Sequence, residues 1–135
     1  MNYRTSSALT VLVVLLTGSL WAHHSHAAVY DVSQIFTVTG TLTKLDWRNP
    51  HMECLVEVKN GGRAEVWVIE GNSPNAVRSQ ISRSDFEQAI GKTVTVEVAR
   101  AKEGSRYNAL AYQITLPDGR SVRMAARPDP PKGKQ

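Results

Sequence analysis

The chain has 135 residues, of which 21% are charged, with a formal net charge of +4 and a single cysteine, Cys54. That length supports one domain with one modest core. The positive excess, part of it Lys132 and Lys134, falls short of the dense Lys/Arg face that nucleic acid asks for, and one cysteine excludes an internal disulfide.

Residues 1–4 carry one positive charge, residues 8–16 are almost wholly apolar, and residues 17–22 are short and end on a small residue. This is the pattern of a secretory signal peptide, so residues 1–22 are assigned to one and a periplasmic location is expected. The apolar run is shorter than the roughly 20 residues that span a bilayer, so no stable membrane insertion is expected after cleavage. A cut after Ala22 makes His23 the amino terminus. A cut after Ala27, where Ser25 and Ala27 form a small-x-small pair, removes three of the four histidines. The polar histidine run is poor signal material, which favours Ala22.

Residues 23–34 are expected to form a histidine-bearing arm and residues 35–125 the folded domain. In residues 35–47, Phe36, Val38 and Leu42 share one parity and Leu45 and Trp47 the other, which predicts a long strand with a bulge after Gly40. Residues 52–59 alternate, with Met52, Cys54, Val56 and Val58 on one face. Asn60-Gly61-Gly62 is a hairpin turn, and residues 63–70 follow with Ala64, Val66 and Val68 expected inward. Ser73-Pro74 starts a helix, Ser84-Asp85-Phe86-Glu87 fits a capping box, and Gly91 is placed to end it, giving two short helices over about 74–80 and 84–90. Residues 92–100 alternate through Val94, Val96 and Val98, and residues 107–116 through Leu110, Tyr112, Ile114 and Leu116. Pro117-Asp118-Gly119 is a turn, residues 121–124 form a short strand, and residues 126–135 a disordered tail. Three strands, a helical connection and two or three further strands predict an all-β domain with a short helical insert. The architecture expected is a small OB-like, partly open antiparallel β-barrel, with an antiparallel β-sandwich as the alternative.

The four histidines, His23, His24, His26 and His51, all lie in the first half of the chain. A terminal amine beside imidazoles is a nitrogen site suited to Cu(II), and neutral imidazole binds Cu, Zn and Ni. His51, in a turn between strands and in phase with Glu53 rather than with the apolar Met52 and Cys54, is expected at the barrel mouth or outer face. There the arm could reach it, with Asn49 and Glu53 orienting it. Met52 and Met124 are thioethers suited to Cu(I), although Met52 reads first as a core residue. Trp47, Trp67 and Arg100 are the candidates for a face that takes a glycan, peptide or protein partner, against the reading that both Trp rings cover core. No phosphate loop or nucleophile elbow is present, and Cys54 has the parity of an inert core thiol, so catalysis is not the expected role.

His23-His24-Ser25, Tyr30-Asp31, Gly40-Thr41-Leu42, Trp47-Arg48-Asn49-Pro50-His51, Gly71-Asn72-Ser73-Pro74-Asn75 and Leu116-Pro117-Asp118-Gly119 together resemble a family of small exported proteins of Gram-negative bacteria. That family is known only as a domain of unknown function. The resemblance spans about residues 23 to 124, and it implies a periplasmic location and a compact β-rich domain but no reaction or ligand. In that family an aromatic residue commonly follows His-His-Ser; here His26 stands in its place. The residues themselves point to a periplasmic binding module that takes copper through His23, His24, His26 and His51. The alternatives are an OB-like adaptor without metal and, last, a copper-dependent oxidative enzyme.

Overall fold

The computed structural model describes residues 26–128. Residues 1–25, with the expected signal segment, His23 and His24, and residues 129–135 of the expected tail lie outside them. The elements in chain order are α1 (His26–Val29), β1 (Tyr30–Asp46), β2 (Glu53–Asn60), β3 (Arg63–Glu70), α2 (Pro74–Val77), α3 (Arg83–Glu87), β4 (Thr93–Ala101), β5 (Asn108–Thr115) and β6 (Ser121–Arg123).

The sheet order is β3-β2-β1-β4-β5-β6, with β3 also paired to β5. That last pairing, Val68↔Asn108 to Glu70↔Leu110, closes β1 to β5 into a barrel and is parallel, whereas the other ladders are antiparallel. The expected OB-like barrel is therefore present and closed. β1 is long because it serves two partners in turn: β4 along residues 35–41 and β2 along residues 41–46. It begins at Tyr30, inside the segment expected to be a free arm.

The bulge in β1 falls between Leu42 and Lys44, after Gly40 and where the parity of the apolar residues changes. Gly40 has another task. A Cβ there would press into the carbonyl oxygen of Glu57 on β2, with the Val56 side chain at 3.0 Å. Ala usually stabilises a strand over Gly. Gly40→Ala is expected to reverse that sign, costing about 1–3 kcal/mol by urea unfolding, because the neighbouring backbone must move aside.

The β2–β3 hairpin turns through Gly61 (φ 56°) and Gly62 (φ 82°), and Asn60 pairs with Arg63. Both turn residues need positive φ, which glycine supplies without steric cost. The inward face of β3 is opposite to the one expected. Trp67 and Ile69 are buried, while Val66 is 45% exposed. Val56 faces the core, and Trp67 is its cross-strand partner, so the two share a face.

Both helices form but are short. α2 has Pro74 in its first turn, as expected. The cap of α3 is Ser82 rather than Ser84: its hydroxyl accepts from the Asp85 amide at 3.0 Å. Gly91 (φ 82°) leads into β4 and donates to the Leu42 carbonyl at 2.7 Å. The core fills the barrel with Leu42, Met52, Cys54, Val56, Ile69, Val96 and Ile114, and α3 adds Phe86 to it. A second, smaller cluster of Tyr30, Ala99, Leu110, Tyr112 and Ala125 lies apart from it. It forms because β5 slips register between Ala111 and Gln113, so both faces of the strand are buried.

Candidate functional site

The end of β1, the start of β2 and the end of β3 meet at one rim of the barrel. The Trp47–Met52 connection runs there, with a cis Asn49–Pro50 peptide, and Met52 anchors it. Met52 is fully buried; its amide donates to the Asn72 carbonyl (3.1 Å) and its carbonyl accepts from Gly71 (2.9 Å). The neighbouring His51 is thereby held on the surface, its side chain 51% exposed.

His51 Nδ1 lies 2.6 Å from Glu70 Oε1. The other carboxylate oxygen, Oε2, accepts a 2.7 Å hydrogen bond from the Tyr30 hydroxyl. Glu70 is thus held at both oxygens, one by a ring on the β1–β2 turn and one by a phenol at the start of β1. Burial first, and then the bond to Glu70 and its charge, hold the Tyr30 hydroxyl well above its usual ionisation range. It remains a donor throughout ordinary pH. Arg48, Asn49, Glu53 and Glu70 surround His51 in an open depression of about 320 Å³.

With Nδ1 in contact with a carboxylate, Nε2 is the ring nitrogen left without a partner among the described residues. A carboxylate on the far nitrogen is the partner that metal-ligating histidines ordinarily have. That partner is Glu70; Asn49 and Glu53 line the same depression but make no hydrogen bond to the ring among the described contacts. Glu70 could have been found from the hairpin, whose two-residue turn sets Glu53 opposite Glu70.

His26, exposed, opens α1. That turn is tied to the end of β4 by Lys102, whose Nζ donates to the Ala27 carbonyl (2.5 Å) and whose amide donates to the Val29 carbonyl (2.9 Å). Among the described residues no group of three or more His, Cys, Asp or Glu side chains is close enough to hold a metal ion. Met124, like Met52, is buried in the core. Cys54 is 2% exposed, and burial, with a smaller contribution from Glu53, pushes its thiol up to about 12.

The aromatic candidates separate. Trp47 packs edge-on against Phe86 of α3, with centroids 6.0 Å apart. Trp67, 7% exposed, packs edge-on against Phe36 and Tyr107. Arg100 lies over both the Phe36 and Trp67 rings, 5.1 and 5.5 Å from their centroids. The structure therefore joins Trp67 to Arg100 but places Trp47 in a different aromatic pair. Arg100 and Phe36 also line an open groove of about 750 Å³ along the first half of β1.

No helix among the described residues is long and apolar enough to cross a membrane. No curated protein matches the chain. No solved structure matches it either. Residues 11–110 match the family described as "Family of unknown function (DUF6152)", and the chain belongs to that family.

Proposed function

We propose that this protein is a small periplasmic binding module for a late transition metal, copper first, with His51 as the barrel's own ligand. The observation that carries the reading is the His51–Glu70–Tyr30 chain, in which Glu70 contacts Nδ1 of a half-exposed ring and Nε2 is left without a partner among the described residues. The other nitrogens would come from the amine and ring of His23 and from His24 or His26. The arm that carries them enters the barrel at Tyr30, the residue that anchors Glu70. With His26–Val29 helical, the chain from His23 to Tyr30 spans up to about 17 Å, and Tyr30 itself bonds the carboxylate that contacts His51, so its length does not prevent the arm from reaching His51. Copper suits the donor set because imidazole and amine nitrogen rank high for Cu(II).

The test combines mass and affinity. Protein purified from the periplasm, sprayed natively with one equivalent of Cu(II), is expected to begin at His23 and to carry one copper. His51→Ala is expected to weaken Cu(II) binding at least tenfold, and Glu70→Gln by about 10- to 100-fold through loss of ring orientation. A mass beginning at Ala28 would end the reading, and unchanged affinity in His51→Ala would remove His51 from the site.

A second reading is favoured by the Arg100 stack beside its groove: an OB-like adaptor that takes a glycan, peptide or protein partner without metal. Its mark would be a ligand-induced change in Trp fluorescence that persists when the histidines are replaced.

A further inference from the structure

The outer face of β4, β5 and β6 carries a separate constellation that the His51 site does not use. The registers Glu97↔Gln113 and Gln113↔Arg123 align these three side chains in one cross-strand row. Val98 pairs with Ala111 and Glu97 with Gln113, so Tyr112 is the extra residue of a β-bulge. Bulges re-aim a side chain. Here Tyr112 packs in the small outer cluster with Tyr30, Ala99, Leu110 and Ala125 instead of in the barrel core.

Tyr112 is 1% exposed, and its hydroxyl has no hydrogen-bond partner among the described residues. Buried hydroxyls are rarely left unpaired, because desolvating one without a partner is costly. The ring lines a cavity of about 340 Å³ together with Gln113, Arg123, Ala125, Ala126 and Arg127. Two guanidiniums, a phenol and an amide make this lining rich in donors, and arginine has no acceptor to offer. Among the described residues the nearby negative charge is Glu97, which is engaged by Arg127.

We propose that this cavity binds a small oxyanion, a phosphate or a carboxylate, with the Tyr112 hydroxyl donating into it, Arg123 supplying the charge and Arg127, paired with Glu97, offering its remaining N–H donors. Bonds to an ionised acceptor are stronger than neutral ones, and the guanidinium fork matches a pair of oxygens. The location explains the bulge: an in-register Tyr112 would alternate with Gln113 instead of sharing its face. The proposal does not depend on copper or on the amino terminus.

The test titrates the purified protein, in chloride-free buffer, with inorganic phosphate and separately with acetate. The readout is the nuclear magnetic resonance shifts of the backbone amides of Gln113, Ala125 and Arg127. Saturable shifts with at least one anion are expected. Saturation by phosphate alone identifies a tetrahedral anion, and saturation by acetate a carboxylate. Tyr112→Phe keeps the ring in its cluster and is expected to weaken binding about tenfold or more. Arg123→Gln, at an exposed position, is expected to weaken it as well. The proposal falls if neither anion saturates, or if Tyr112→Phe binds as the wild type does.

Discussion

Phe86→Ala is expected to destabilise the protein by about 3–5 kcal/mol, the range for truncating a fully buried aromatic residue. Phe86 has no exposed surface and sits on α3, a helix of five residues. A helix that short does not form for its own sake, since nucleation outweighs the few hydrogen bonds it makes. What holds it is the ring, packed in the barrel core and edge-on against Trp47. The Ser82 cap contributes only about 1 kcal/mol beside it. Urea unfolding followed by Trp fluorescence reads both consequences: a lower midpoint, and a native spectrum shifted to the red as Trp47 loses its partner. Phe86→Leu, close in volume, should lose under about half as much. A loss near 1 kcal/mol for Phe86→Ala would mean that the helix is held by its loops instead. Because α3 leads through Gly91 to the carbonyl of Leu42, loosening it also loosens the end of β1 that precedes His51.

How much could be read in advance depends on whether the signal is local. Asn60-Gly61-Gly62 fixed a hairpin because two consecutive positive-φ positions are a property of those residues alone. The same turn also held information that hydrophobic parity overrode. A two-residue loop pairs Val56 with Trp67 and Glu53 with Glu70. Following that register would have turned Trp67 inward, turned Val66 outward and placed a carboxylate beside His51. The choice of Ser84 over Ser82 as cap failed for a smaller reason: two serines stand in the same window, and packing of Phe86 decides between them. Tyr30 was beyond such reading. Its contact with Glu70 spans 40 residues and depends on a register shift that carries the β1–β4 ladder on to Tyr30↔Ala101 and the outer cluster. The bulge at Tyr112 was hidden likewise, because the alternation Leu110, Tyr112, Ile114 looks regular until β4 pairing shows that Ile114 faces one cluster and the other two face another.

Raising the pH through the thiol range is expected to remove about 4 kcal/mol of stability through Cys54 alone. The folded thiol is pushed from 9.0 up to about 12, chiefly by burial inside the barrel. Below pH 9 neither the folded nor the unfolded state ionises, and the full stability is present. Above it the unfolded chain releases a proton that the folded one retains, so the unfolded state gains about 1.4 kcal/mol for each pH unit until the folded thiol also titrates. Other groups titrate in this range, so the measurement is a difference. Urea unfolding of wild type and Cys54→Ala is compared from pH 8 to 11. The cavity left by Ala is a constant offset, whereas the advantage of wild type over the variant should shrink steadily above pH 9. A constant advantage would show that water already reaches the thiol in the native state. The Tyr30 phenol, also raised, adds a fall common to both proteins at still higher pH. Its ionisation would set a negative oxygen against Glu70 and release the carboxylate that orients His51. Alkaline unfolding and loss of the His51 geometry therefore start from opposite sides of the same barrel wall, Cys54 within and Tyr30 without.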